Sequence, residues 1–336
     1  MTAALVTAPV VAQDYEVPHN AFGQPDVSGY WSNVSITPFT RSRDLGEQAV
    51  YTEEEVAELE GNVQIEIEEA AAPTDPSADA EHRNPSTVTR PEFTAAGGEV
   101  GGYNRFWLDA GEQIMRVNGE PRTSILTTAD GQIPSRIEGA PGFSRFGGGA
   151  RPRGYVGYEV RSYSDRCIVG FGRNMGPPML NNGFYNNNYH IVQAPDHVLI
   201  LTEMIHDTRV VRLNDEHRTD DVRPWFGDSI GWYEGDTLVV ETTNIPERQG
   251  LYGSWENLTV TERFTRVGED RVFYEFTIED PTIWAEPWGG EYEFHPLGDV
   301  IYEYACHEGN YALPGILRAS IAEAEEREAA DSAGDE

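Results

Sequence analysis

The sequence predicts a mainly β protein: an antiparallel barrel or strongly curved sheet, lipocalin-like or sandwich-like, with short N- and C-terminal helices. Three observations carry this expectation. Short runs of β-branched and aromatic residues recur at intervals of roughly 8–12 residues. Several are joined by turn signals such as Glu234-Gly-Asp236 and Val267-Gly-Glu-Asp270, which make hairpins and therefore antiparallel neighbours. No regular alternation of strands and helices, as a doubly wound sheet would need, is present.

The elements follow in order. Residues 1–12 are small and apolar, and Val10-Val11-Ala12 fits a signal-peptidase site; with no basic n-region, they read as a truncated export signal. A single β-rich domain is expected over 13–318. Its first part, 13–154, reads as a wrap on the sheet. Asp26–Ser32 enters a first strand through a Gly turn. Thr52 and Glu55 form a capping box, which predicts a helix over 53–69. Residues 73–86 form a polar, Pro-bearing loop, and 139–154 a Gly-rich loop with three arginines. The main antiparallel sheet is expected over 155–306, with strands at Tyr189–Gln193, His197–Ile205, Arg209–Leu213, Ile230–Tyr233, Thr237–Thr243, Leu258–Arg266, Arg271–Glu279 and Val300–Cys306. Pro314 opens a short helix that passes into an acidic tail, 319–336.

Composition limits the chemistry. All 24 basic residues among 336 are arginines, so no lysine amine serves a Schiff base, pyridoxal phosphate or a Walker-type loop. Asp plus Glu total 57, a formal charge of −33, which repels nucleic acid and anionic membranes. No run is long and apolar enough for a spanning helix, so no membrane insertion is expected. Cys167 and Cys306 are an even pair in a chain expected to be exported, periplasmic or secreted; this predicts a disulfide, the alternative being two buried thiols.

Side chains alternate along a strand, so parity assigns faces. Val272, Tyr274, Phe276 and Ile278 share one face of a half-buried strand. Two other rows carry a carboxylate among apolar residues: Leu258, Val260, Glu262, Phe264 and Leu199, Leu201, Glu203, Ile205. A buried Glu either shifts its pKa upward, which suits an acid, or pairs with an arginine such as Arg209 or Arg263. His206 and His307 lie at expected strand ends, where a barrel mouth would gather them as acid–base groups. Asn186-Asn-Asn-Tyr-His190 and His307-Glu-Gly-Asn-Tyr311 offer amides, hydroxyls and imidazoles to a hydroxylated ligand, and the tryptophans offer stacking surfaces or core packing. Candidate catalytic residues are therefore His206, His307, Glu203 and Glu262. Candidate substrate-binding residues are Tyr189, His190, Asn188, Asn310, Tyr311 and Trp232.

Several phrases carry a resemblance: Tyr103-Asn-Arg-Phe-Trp107, Asp130-Gly-Gln-Ile-Pro134, Asp165-Arg-Cys167, Glu262-Arg-Phe264 and above all Trp232-Tyr-Glu-Gly-Asp-Thr-Leu-Val-Val240. Across about residues 26–318 the chain resembles a large group of functionally uncharacterised exported bacterial proteins. The resemblance implies export and a β-rich domain, and carries over no catalytic residue.

The expected function is an acid–base enzyme without a cofactor, a lyase, hydratase or glycoside hydrolase, acting on a hydroxylated carbohydrate-like small molecule or oligosaccharide, or on an aromatic one. The alternatives are a periplasmic binding barrel for an apolar or aromatic ligand and a His/carboxylate metal enzyme, although no metal-ligand spacing is present. An apolar cavity would favour carriage; convergent Glu and His would favour chemistry.

Overall fold

The computed structural model describes residues 15–71, 109–142, 157–181 and 183–334. The signal-like segment, the 73–86 loop, Tyr103–Trp107 and most of the 139–154 loop lie outside the described residues. The strands are β1 (Gly29–Ser32), β2 (Arg116–Val117), β3 (Glu120–Pro121), β4 (Asn188–Gln193), β5 (His197–Thr202), β6 (Thr208–Leu213), β7 (Asp228–Glu234), β8 (Thr237–Thr243), β9 (Thr259–Gly268), β10 (Arg271–Glu279) and β11 (Trp288–Pro296). The helices are α1 (Glu53–Ala71) and α2 (Ala312–Gly334). Nine of the strands close into a barrel in the order β1-β11-β10-β9-β8-β7-β6-β5-β4, with β4 returning to β1, so the protein is mainly β, with two long helices among the described residues. The short β2–β3 ladder lies outside the barrel.

A ring of nine strands cannot alternate direction throughout, because an odd cycle leaves one pair pointing the same way. That pair is β6–β7, with Val211 opposite Ser229, against an otherwise antiparallel barrel. A parallel pair needs a long crossover, here residues 214–227. Asp228 fastens it. Its carboxylate accepts from Arg212 Nη1 at 2.6 Å, His217 Nδ1 at 2.9 Å and the Arg218 amide at 2.9 Å. Burial alone would raise the Asp228 carboxyl, but these donors hold it down at about 2.

The Thr52/Glu55 box forms reciprocally: Thr52 N donates to Glu55 Oε2 at 2.7 Å and Glu55 N to Thr52 Oγ1 at 3.2 Å. It starts α1, which runs two residues beyond the expected 69. Cys167 and Cys306 are disulfide-bonded, with Cα atoms 5.8 Å apart.

Other expectations need correction. Residues Val300–Cys306 are not a strand, and no strand precedes β4 among described residues 157–187. The last strand is β11. Gly289 and Gly290 conceal it in the sequence, because glycines break a β pattern. They are there because the chain is crowded: a Cβ on Gly290 would lie 2.6 Å from the Ile125 carbonyl, where residues of the N-terminal wrap cross the sheet. The C-terminal helix is long, running through the acidic residues to Gly334. Finally, β5 stops at Thr202, and its inward row is Val198, Ile200 and Thr202, all inaccessible to solvent, whereas Leu199 and Leu201 face outward. Both rows of β5 are largely apolar, so parity could not choose between them.

The barrel has no open lumen. Phe264, Tyr274, Phe276, Tyr189 and Phe294 fill it, and Arg173–Leu180 plugs one end. Tyr274 Oη accepts from Met179 N at 2.9 Å, and Tyr292 Oη donates to Met179 O at 2.8 Å. At the far end the strands turn tightly, as at Glu234-Gly235-Asp236; at the plugged end they connect through the longer segments 203–207, 244–258 and 280–287.

Candidate functional site

At the plugged end the 203–207 connection carries Glu203 and His206 to a cleft. After Thr202 the chain leaves β5 and makes a 3-10 turn at Met204–His206. Ile205 (φ 55°) and His206 (φ 47°) both take left-handed backbone. A β-branched residue there is strained, and such strain is held only where the surroundings fix it. Met204 and Ile205 are buried and anchor the turn from below.

The turn presents Glu203 and His206 to a cleft of about 250 Å³ on the outer wall, just beneath the rim. Tyr30, His190, Leu201 and a strap formed by Ile301, Tyr302 and Glu303 complete it. Tyr30 and His190 lie opposite each other across β1 and β4, and their rings stack with centroids 4.1 Å apart and planes 13° from parallel. Burial pushes the His190 imidazole below its ordinary value. Glu203 is nearly buried, at 7% exposure. Its Oε2 accepts from Asn188 Nδ2 at 2.7 Å, and its backbone N donates to the Asn188 carbonyl at 2.9 Å. No arginine pairs with this carboxylate among the described residues. Asn188 Oδ1 is buried without a hydrogen-bond partner.

Asp207 turns the other way, into a small void lined by Gly170–Gly176, Met204, Phe226 and Gln249. Its Oδ2 accepts from Gly170 N at 2.8 Å. Burial pushes its carboxyl up to about 6, against the opposing pull of the Gly170 N–H and of His206.

The cleft thus gathers Glu203, His206 and His190, with Asn188 bonded to Glu203. The remaining predicted residues lie elsewhere. Glu262 sits wholly inside the barrel, where Arg209 grips it from the opposite wall at 2.5 and 2.9 Å and Tyr274 Oη donates to it at 2.7 Å. The arginine-pairing alternative is therefore the one realised. Tyr189 is also interior, accepting from Asn33 Nδ2 at 3.2 Å. His307 is exposed and does not line the cleft, because the chain beyond the strap turns at 306–309 instead of continuing as a strand. Asn310 holds the backbone together: Nδ2 donates to the Asp165 carbonyl and Oδ1 accepts from Leu313 N at the start of α2. Tyr311 is 83% exposed and does not line the cleft. Trp232 lies towards the tight-turn end, donating to Glu234, which also holds Arg263 at 2.8 Å. The Trp232–Val240 phrase is thus a locked hairpin. Trp284 and Trp288 pack against each other in the core.

Sequence reasoning missed Tyr30 and the strap. Tyr30 becomes a site residue only through barrel closure, and the strap only through the disulfide, neither of which is local. Among the described residues no three His, Cys, Asp or Glu side chains group as a metal site, and no helix is long and apolar enough to cross a membrane. Comparison with known proteins finds no matching family model, curated protein or solved structure.

Proposed function

We propose that the chain is an exported acid–base enzyme that works without a cofactor on a hydroxylated ring compound, by elimination, hydration or glycosidic hydrolysis. The observation that carries this reading is the convergence of Glu203, His206 and His190 in one cleft, while the barrel interior is filled with side chains. A lumen packed with Phe, Tyr and an ion pair leaves little for the carriage of an apolar ligand. The disulfide supports an oxidising compartment.

The chemistry follows from the partners. Glu203 keeps one oxygen fixed by Asn188, while the other has no protein donor among the described residues, so it is oriented but not neutralised. A carboxylate so held is suited to exchange a proton with substrate, and the neighbouring imidazole of His206 to return it to the leaving oxygen. The Tyr30–His190 stack and Leu201 give a flat, partly apolar platform for the ring. Glu303, on the strap, adds the second carboxylate that glycosidic hydrolysis uses.

The test is turnover against neutral and acidic oligosaccharides and phenolic glycosides, followed by hydrogen exchange with the best substrate. Protection is expected over 188–206 and 301–303. Turnover of none of the panel, or protection confined to other strands, overturns the reading.

A further inference from the structure

The rim carries a second feature, independent of the cleft's chemistry. With 57 carboxylates against 24 arginines, an arginine in this chain has acidic neighbours in excess. Yet four without an ion pair among the described residues, Arg166, Arg173, Arg223 and Arg248, gather beside the plug. Arg248 lies 5.1 Å and Arg166 5.9 Å from the centre of the same Tyr163 ring. Arg223 lies 5.1 Å from the Trp255 ring, and Arg173 Nη1 donates to the Gln249 carbonyl next to Arg248. Asp165, the carboxylate beside Arg166 in sequence, is taken by Arg161 at 2.9 Å, and Glu247 makes no ion pair among the described residues. Trp225 meets Tyr163 edge-on at 4.8 Å and remains 45% exposed.

Two cations sharing one ring repel each other, and in an acidic chain a nearby carboxylate would ordinarily relieve them. We propose that this surface binds an oxyanion-bearing sugar, a carboxylated or sulfated ring whose anion is held between Arg166 and Arg248 and whose apolar face lies on Trp225. Guanidinium forks match the paired oxygens of carboxylate and sulfate, and a flat indole suits the C–H face of a sugar. Both arms are held in place beforehand. The disulfide fixes Cys167, Asn310 Nδ2 donates to the Asp165 carbonyl at 2.8 Å, and Gly250 N closes the turn onto Glu247 O at 3.0 Å. Only the small void separates the site from the turn that carries Glu203 and His206: it is lined by Met204 and Asp207 of that turn and by Phe226 and Gln249, the sequence neighbours of Trp225 and Arg248. It does not depend on catalysis there.

The experiment is calorimetric titration of the full chain with trigalacturonate, a sulfated galactose trisaccharide, neutral galactotriose and sodium sulfate. At least one anionic sugar is expected to bind about tenfold tighter than the neutral one, and to weaken as salt rises. Arg166→Gln, Arg248→Gln and Trp225→Ala should each weaken it about fivefold or more. The two arginine variants should melt close to the parent, because among the described residues neither side chain donates a hydrogen bond or makes an ion pair. Trp225→Ala also loses its edge-on contact with Tyr163 and should melt somewhat lower while staying folded. Arg327→Gln, which removes a charge on α2, should leave binding unchanged. The proposal falls if neither anionic sugar outbinds the neutral one, if Arg166→Gln or Arg248→Gln binds as the parent does, or if sulfate alone competes as well as the sugars.

Discussion

The lumen of the barrel and its rim each hold a carboxylate withdrawn from solvent, and they treat it differently. In the lumen, Glu262 receives two hydrogen bonds from Arg209 and one from Tyr274, and none of the three residues is more than slightly exposed. Its charge is cancelled and its acceptors are occupied. At the rim, Glu203 receives one side-chain hydrogen bond from a neutral amide and faces a cleft. A cancelled charge stabilises the fold, but only if both partners remain; a charge that is oriented and not cancelled is available for proton transfer. The surroundings, rather than the residue type, separate the two.

The largest expected effect breaks the lumen pair. Arg209→Met leaves Glu262 buried without its counter-charge and should destabilise the protein by about 3–5 kcal/mol, read from denaturant midpoints. The double variant Arg209→Met/Glu262→Leu should recover most of that loss. A single variant within about 1 kcal/mol of the parent would show that the pair is not what holds the lumen.

A smaller effect is expected at Asp207, on the same turn as Glu203. Its carboxyl is raised by burial to about 6 from an ordinary 3.8. The folded state therefore holds this proton more tightly than the unfolded chain. The resulting stability is fully present below about pH 3.8 and is lost as pH rises through 6. Asp207→Asn should match the parent at pH 3.5 and exceed it at pH 7.5 by on the order of 1–3 kcal/mol. Thermal melts across that range check it, and parallel curves for the two proteins would contradict it. The smallest effect belongs to the outer wall: Val210, 49% exposed, should tolerate replacement by Thr within about 0.5 kcal/mol in the same melts.

What could be read from the sequence was local. Strands β8 and β10 match their expected ends, because each is a run rich in β-branched and aromatic residues that opens directly after a tight turn, at Gly235-Asp236 and Glu269-Asp270. The α1 box rests on residues three apart, and the disulfide on an even pair of cysteines. What could not be read depends on long-range closure. The four-residue strand β1 pairs with both β4 and β11, and only that pairing sets Tyr30 beside His190. The strap reaches the cleft because Cys306 is bonded 139 residues back along the chain. Parity identified two carboxylates in apolar rows, but it could not say that Glu262 would meet Arg209 across the lumen while Glu203 left its strand for a strained turn. The sequence also places His307 just past an expected strand at 300–306, and that strand does not form.

We propose Glu203, and not Glu262, as the group that carries proton transfer. The most direct measurement is kcat for Glu203→Gln on whichever panel substrate the parent turns over, with the melting temperature recorded in parallel. The expected result is a fall on the order of 10²-fold or more with little change in melting temperature, since the Asn188 amide still has an oxygen to donate to. Full turnover by this variant would contradict the assignment of proton transfer to Glu203.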